Sequence, residues 1–224
     1  MRLILVRHGD PNYELDCLTE LGRKQAKVVA ERLMEEGIEE VYASCLGRAR
    51  QTAQAFVDRS GIGPMHILDF MQEIRFGKAD ALFQSGNPWL ATLDLVHQGK
   101  DLQSPDWREY PEFKENMATV DADKVIAGTD EWLATLGYKR EGLYYRCTNE
   151  DEREKTIVLF SHGGSSTAFL SRVLNVPFPH MCVVLGHIRH TAITILRFDP
   201  RPGVLSMPIV DVMVEARHLE EVKQ

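Results

Sequence analysis

A chain of 224 residues, 44% hydrophobic and 26% charged, is long enough to bury one substantial core. Its formal net charge of -7 argues against a nucleic-acid partner, because a phosphate backbone is bound through a clustered excess of lysine and arginine. No apolar run is long enough to cross a bilayer, so we expect no membrane partner.

The cysteines are scattered along the chain and form no C-x-x-C pair, which argues against a zinc knuckle or a thioredoxin-like motif. The first residues lack the apolar segment of a secretory signal. Both features fit a reducing compartment, and we expect a cytoplasmic protein. The sequence leaves the oligomeric state open, with a homo-oligomer among the alternatives.

Strands and helices alternate along the first third of the chain. Apolar residues 3–6 predict a buried strand, and residues 41–43 and 66–68 predict two more. Helices are predicted over residues 20–36, with Thr19 as the N-cap, and over residues 48–59. This alternation is typical of an α/β fold, here a three-layer α/β/α arrangement around a mostly parallel central sheet.

The pattern changes over residues 77–150, which contain all three tryptophans. We interpret this stretch as a largely helical cap inserted into one domain spanning residues 1–224. Asn87-Pro88 and Ser104-Pro105 each resemble an N-cap followed by proline at the first helical position, so two helices are predicted to begin there. Most aromatic residues of the stretch are expected to form the core of the cap itself, and a minority to face a ligand.

The strongest predicted strand, residues 156–160, runs into Ser161-His162-Gly163-Gly164 and a helix over residues 165–174 that Pro177 is expected to end. Residues 191–198 and 204–214 predict later strands. Two buried strands thus end in His-Gly, at His8 and His162. If they are neighbours in a parallel sheet, the two histidines meet at the carboxyl edge, where α/β sheets bind ligands.

These residue types favour phosphate chemistry. A neutral imidazole is a nucleophile near physiological pH, and the adjacent Arg7 favours a dianion as ligand. The helix after Gly164 would direct its N-terminal amides towards an anion. Arg48 lies at the start of a predicted helix, where the helix dipole disfavours a cation, so its position calls for an anion nearby.

Four motifs, in this chain order, resemble the histidine phosphatase superfamily, the phosphoglycerate mutase-like proteins. They are Arg7-His8-Gly9, the S-x-x-x-R-A-x-Q-T-A pattern of residues 44–53, Glu73 ahead of Phe76-Gly77, and Ser161-His162-Gly163-Gly164. Four such motifs on a fitting strand and helix pattern are far more specific than one. The resemblance covers essentially the whole chain outside the predicted cap.

The resemblance implies that His8 attacks phosphorus and becomes a phosphohistidine, while Arg7, Arg48 and His162 bind the phosphate oxygens. Glu73 is similar to the family's proton donor. The implied activity is hydrolysis of a small phosphorylated metabolite, with no cofactor and no metal. One alternative is phosphoryl transfer as in a mutase, which is weakened because the residues after Asp10 do not reproduce the S-x-W-N stretch of the mutases.

A further alternative, from another class, is a non-catalytic sensor of a phosphorylated ligand on the same fold. Among the remaining polar residues, Asp10 is the rival to Glu73 as the acid and is otherwise expected either to support the site residues from behind or to face the substrate. Gly163 is also expected at the substrate, and so is Asn12, for which turn chemistry is the alternative. Ser44 is expected to cap the helix that follows it, with orientation of the site as the alternative.

The His187-x-x-His190 pair could bind a metal only if two more ligands converge, which the cationic surroundings disfavour. His190 or Thr191 is instead expected to approach the phosphate pocket, because this stretch precedes a predicted strand.

Overall fold

The computed structural model describes residues 1–221, which form an α/β fold. The strands are β1 (Arg2–Arg7), β2 (Pro11–Asn12), β3 (Cys17–Leu18), β4 (Glu40–Ser44), β5 (Met65–Leu68), β6 (Gly77–Lys78), β7 (Ala81–Leu82), β8 (Tyr138–Glu141), β9 (Tyr144–Cys147), β10 (Thr156–Ser161), β11 (Ile193–Arg197), β12 (Leu205–Ser206) and β13 (Ile209–Glu215). The helices are α1 (Glu20–Leu33), α2 (Gly47–Ser60), α3 (Pro88–His97), α4 (Pro111–Lys114), α5 (Met117–Thr135), α6 (Gly163–Val173) and α7 (Phe178–Leu185).

A six-stranded sheet lies at the centre, in the order β13-β11-β1-β10-β4-β5. The four strands β1, β10, β4 and β5 are parallel, whereas β11 and β13 are antiparallel to their neighbours. The prediction of a mostly parallel sheet is confirmed. Because β1 and β10 pair with Arg7 opposite Ser161, the residues that follow these two strands emerge side by side.

Helices cover both faces of the sheet, because successive side chains of a strand point to opposite faces. Leu3 and Leu5 belong to a hydrophobic cluster that also contains residues of α5, α6 and α7. Ile4 and Val6 belong to a second cluster formed with α1 and α2. Strand β1 is therefore buried on both sides, as its uninterrupted apolar sequence predicts.

Helices α1 and α2 follow their predicted bounds closely. The Thr19 hydroxyl accepts a hydrogen bond from the Gly22 amide at 3.0 Å, which confirms the N-cap. The α-helix ends at Leu33 and a 3-10 turn continues to Glu36, after which Gly37 has a φ of 65°. This positive φ is one that glycine adopts without strain, so Gly37 ends the helix.

One of the two predicted helix starts in residues 77–150 is correct. Helix α3 begins at Pro88, and the Asn87 side chain accepts from the next two amides. No α-helix of the described chain begins at Ser104-Pro105, where only a 3-10 turn, Trp107–Glu109, forms. The reason is Pro111, which holds Tyr110 in an extended conformation (ψ 137°) and so stops any helix after one turn.

The aromatic residues of this stretch do not form a separate core. Trp132 on α5 packs edge-on against Tyr42 of β4 at 5.1 Å between ring centroids, and it also contacts Phe169 of α6. Trp107 belongs to the same hydrophobic cluster as β1 and β10. The stretch also contains a hairpin, β8 with β9, that the sequence interpretation missed.

Helix α7, which was not predicted, begins immediately after Pro177, its N-cap residue. Pro179 lies in the first turn of α7, where a proline is tolerated because its missing N–H would have no partner in the helix. Over residues 1–221 no single helix is long and apolar enough to cross a membrane, although α6 and α7, bent by 119°, reach that length and composition as a pair.

Candidate active site

The two His-Gly segments meet at the carboxyl edge of the sheet. The rings of His8, after β1, and His162, after β10, lie 5.1 Å apart between centroids, and both residues are fully buried. The pairing of β1 with β10 brings these residues together across 153 intervening positions of sequence, as the motif pattern predicts. Gly9 is required beside His8, since a Cβ there would lie 2.6 Å from the Gly22 carbonyl oxygen of α1.

The hydrogen bonding of His8 defines its tautomer. His8 Nδ1 lies 2.7 Å from the carbonyl oxygen of Gly9. A carbonyl oxygen only accepts, so Nδ1 carries the proton and Nε2 has a free lone pair. His8 Nε2 is buried and has no hydrogen-bond partner among residues 1–221. Burial holds the pKa of His8 well below its usual value, and the nearby Arg7 and Arg48 lower it further.

His162 is held by a side chain from a third strand. Its Nε2 lies 2.8 Å from the hydroxyl of Ser44, the last residue of β4. Burial again holds its pKa well below the usual value, with further lowering by His8 and by Arg48. The expectation that Ser44 caps the next helix is wrong, because the N-cap position of α2 is Leu46.

Arg7 is anchored on the loop after α7. It donates through Nη1 to the carbonyl of Ile188, and the same atom lies 3.4 Å from His187 Nε2. Its Nε is buried and has no partner in the described part of the chain. Gly163 lies beside this guanidinium, where a Cβ would be 3.7 Å from Arg7 Nε.

Arg48 is paired with a residue that the sequence interpretation did not identify. Its Nη1 donates to Asp16 Oδ1 at 2.6 Å, and the Gly47 amide at the start of α2 donates to Asp16 Oδ2 at 2.6 Å. The Tyr13 ring lies 5.3 Å from the Arg48 guanidinium carbon. The anion expected near Arg48 is therefore this carboxylate. The sequence feature that could have indicated this partner is the acidic residue Asp16 itself, in the loop before α1.

Glu73 lies at the N-terminus of α6. Its Oε1 accepts from the amides of Gly164 at 2.8 Å, Ile74 at 3.0 Å and Ser165 at 3.3 Å. The anion that the α6 amides meet is thus Glu73 itself. Burial raises the pKa of Glu73, while Arg7 and the amide hydrogen bonds oppose the rise. A carboxyl group in this position can hold a proton above its ordinary range.

Asp10 and Asn12 are engaged within the loop that follows β1. Asp10 Oδ2 accepts from the Thr19 hydroxyl at 2.6 Å, and its Oδ1 lies 3.7 Å from His190 Nδ1. Asn12 Oδ1 accepts from the Leu15 amide at 3.1 Å, which is turn chemistry. Neither residue is among the described residues that line the cavity beside Arg7.

His190 does approach the nucleophile candidate. Its ring centroid lies 5.6 Å from that of His8, and burial lowers the pKa of His190 to about 4. Thr191 contributes its backbone instead, since its amide donates to the Arg7 carbonyl at 3.0 Å with a φ of 54°.

A cavity of about 440 Å³ opens beside Arg7 and Glu73. Gly163 and Gly164 line the same end of the site. Much of the remaining wall is apolar or aromatic. It comes from the loop before α1, the segment after β5, the loop after β7, the start of α3 and the loop after α7: Tyr13, Ile74, Phe76, Phe83, Asn87, Trp89, Gly186, His187 and Ile188. These aromatic residues are visible in the sequence, but their position at the wall of the cavity depends on how distant segments pack.

The site also contains one grouping of possible metal ligands. One ligand atom each from His8, Glu73 and His162 lies within 4.8 Å of the others. His187 and His190 are not part of that grouping, which was searched over the described residues. The guanidinium groups of Arg7 and Arg48 act on the same histidines, and they favour an anion over a cation at this point.

Residues 3–122 match the histidine phosphatase superfamily (branch 1), and the chain belongs to this family. Among its relatives, the probable phosphoglycerate mutase GpmB of Yersinia pestis (strain Pestoides F) is 35% identical over 230 residues, which cover 98% of this chain and 95% of the relative. The probable phosphoglycerate mutase GpmB of Yersinia enterocolitica is 24% identical with the same coverage.

Solved structures share the fold. The phosphoserine phosphatase of Entamoeba histolytica in complex with 3-phosphoglyceric acid has a TM-score of 0.63 at 22% identity, covering 97% of this chain and 98% of that one. A mycobacterial glucosyl-3-phosphoglycerate phosphatase in complex with VO3 has a TM-score of 0.63 at 21% identity, covering 95% and 98%. The fold class predicted from the sequence is confirmed.

Proposed function

We propose that the protein is a phosphatase that hydrolyses a small phosphomonoester through a phosphohistidine intermediate on His8. The observation that carries the proposal is the environment of His8 Nε2. This atom is buried, has no partner in the described chain and has a free lone pair, because Nδ1 donates to Gly9. A neutral imidazole held in one tautomer is a competent nucleophile.

The cationic groups around His8 suit the transferring phosphoryl group. Arg7 and Arg48 each have a buried Nε without a partner in residues 1–221. A guanidinium donates to phosphate oxygens in a fixed geometry, and prearranged donors stabilise charge that develops in the transition state. Beside these two arginines the neutral His162 supplies a further ring N–H, with Ser44 orienting its ring.

Glu73 supplies the proton. In the first step the His8 Nε2 lone pair forms a bond to phosphorus as the bond to the leaving oxygen breaks, and the proton of Glu73 passes to that oxygen. In the second step water attacks phosphorus, its proton passes to Glu73, and the N–P bond breaks to release phosphate. The raised pKa of Glu73 suits a group that must be protonated first and ionised second.

A mutase is the second candidate, because the relative with 35% identity is named a probable phosphoglycerate mutase. The two activities share the phosphohistidine and differ in the acceptor of the phosphoryl group. A mutase returns it to a sugar-acid hydroxyl, whereas a phosphatase transfers it to water. Assays that measure both released phosphate and isomerised phosphoglycerate therefore decide between the two.

Incubation with a ³²P-labelled phosphomonoester tests the phosphohistidine directly. We expect label on the protein that is acid-labile and base-stable, and we expect His8→Ala to lack both label and turnover. Absence of label and of turnover across a broad panel of phosphomonoesters would contradict the proposal and favour a non-catalytic sensor. Ser60→Ala is the control variant, because it removes a hydroxyl at the end of α2, and it should retain both label and turnover.

We also propose that the reaction needs no metal. The charges of Arg7 and Arg48 support this view, since they already provide the positive potential that a metal would otherwise supply to phosphate. Activity is expected to survive dialysis against EDTA. Strong inhibition by EDTA, with activity restored by a divalent cation, would instead assign a metal to the grouping of His8, Glu73 and His162.

We further propose that the protein acts in the cytoplasm. The free thiols of the four cysteines support this compartment, because disulfides are rare in a reducing environment.

A further inference from the structure

The wall of the cavity opposite the phosphate site is aromatic. Phe76 and Phe83 meet edge to face, with ring centroids 5.0 Å apart, and Trp89 lies on the same wall. The Phe83 side chain is 58% exposed, although a phenylalanine is costly to leave in water. An exposed phenylalanine beside two half-buried aromatic rings at the wall of a concave site is typical of a surface that a ligand covers.

The positive charge in this cavity is confined to one end. Arg7 and His187 are the cationic residue types among the described lining residues, and they lie 3.4 Å apart. Burial and the adjacent Arg7 lower the pKa of His187, which disfavours the cationic form of this imidazole. Among the described lining residues Arg7 is the one arginine or lysine, so once it binds phosphate a second anionic group such as a carboxylate meets no further permanent cation.

The apolar surface continues beyond Trp89. A second hollow of about 370 Å³ shares Trp89 and His187 with the cavity. Its wall includes Leu90 and Leu93 of α3, which are 62% and 45% exposed. Apart from the polar groups of Tyr13, Asn87 and His187, the lining from Arg7 outwards is mostly apolar over both hollows, with room for a group larger than a three-carbon acid.

We propose that the substrate is a phosphomonoester whose alcohol portion is apolar and preferably aromatic, seated against Phe76, Phe83 and Trp89, rather than a phosphorylated sugar acid. This inference rests on the proposed phosphatase function and specifies its substrate class. It also separates the chain from relatives named for phosphoglycerate, since the carboxylate of a sugar acid would share this lining with aromatic rings and with the neutral donors of Tyr13 and Asn87, without a second arginine or lysine among the described lining residues to balance its charge.

The test compares three phosphate monoesters: 2-phenylethyl phosphate, ethyl phosphate and 3-phosphoglycerate. In each of them the leaving group is a primary alkoxide, so differences in leaving-group reactivity do not dominate the comparison. We expect kcat/KM for 2-phenylethyl phosphate to exceed that of the other two by roughly tenfold or more, from burial of the ring. Equal or better use of ethyl phosphate or 3-phosphoglycerate would overturn the substrate class while leaving the phosphatase proposal intact.

Phe83→Ala is expected to reduce the preference for 2-phenylethyl over ethyl phosphate by roughly three- to tenfold, as expected for loss of an aromatic contact. Leu143→Ala is the matched control, because Leu143 is also 58% exposed but does not line the cavity. An unchanged preference in Phe83→Ala would contradict the aromatic wall. If none of the three compounds is hydrolysed, calorimetric affinities for the same compounds decide the ligand preference, while the ³²P label and the broad phosphomonoester panel decide the phosphatase function.

Discussion

Asp16 holds Arg48 through an ion pair of 2.6 Å between Oδ1 and Nη1, while its other oxygen accepts from the first amide of α2. The pair combines an almost fully buried guanidinium with a partly exposed carboxylate. It fixes the end of the Arg48 side chain and leaves Nε, which has no partner in the described chain, for a ligand. The loop before α1 thus positions the α2 side chain that we propose binds phosphate.

Asp16→Ala is expected to lower kcat/KM by about tenfold or more, because Arg48 loses the charged hydrogen bond that orients it. It should also destabilise the protein by about 1 kcal/mol, since the α2 amide loses its cap. Glu31→Ala is the control, as Glu31 also pairs with an arginine of α2, Arg59, at 2.6 Å. Equal kinetics in the two variants would show that Asp16 does not position Arg48.

Glu73→Gln is expected to slow turnover of alkyl phosphates by roughly 10²-fold or more, because an alkoxide leaving group needs a proton. Turnover of p-nitrophenyl phosphate, whose leaving group barely needs one, should fall much less. Glutamine retains an oxygen for the amides of Gly164 and Ile74, so the geometry is preserved. Asp10→Asn is the comparison, and a selective loss in that variant would move the acid role to Asp10.

Gly164→Ala is expected to abolish most activity and to lower the melting temperature. A Cβ at this position would lie 2.3 Å from Ile74 Cγ1 and 2.6 Å from Glu73 Oε1, so the carboxylate must shift. Gly163→Ala serves as the stability comparison, because its nearest neighbour would be 3.7 Å away. Thermal unfolding that is equal in the two variants would contradict the close packing of α6 on Glu73.

Stability is expected to fall as the pH drops from about 7 to about 5, because His8 and His162 are buried in the neutral form. Below about pH 6.5 the unfolded chain binds protons on these histidines and the folded protein does not. Glu73, with its raised pKa, acts in the opposite sense: its contribution is present below 4.5 and is lost as the pH rises through the raised pKa.

Denaturant unfolding in phosphate-free buffer measures this dependence. His162→Gln should show a shallower loss of stability than the wild-type protein, since one buried imidazole is removed. If stability falls equally with pH in the two proteins, the loss of stability at low pH does not come from these histidines.

Local sequence patterns determined the framework of this protein. The apolar runs that become β1 and β10 are buried on both faces, and their uninterrupted character is itself the signal of such strands. Thr19 sets the start of α1, and Gly37 ends the 3-10 turn that continues it, through capping chemistry that needs no distant partner. Because these effects act within a few residues, they are readable without a structure.

Only the tertiary structure decided which distant residues share an environment. Ser44 orients His162 rather than capping α2, and Asp16 holds Arg48, because strand order and loop packing bring together residues far apart in sequence. The same holds for Phe83 and Trp89, which line a cavity instead of the core of a separate cap. Burial and pairing depend on contacts across the fold, and no local pattern encodes them.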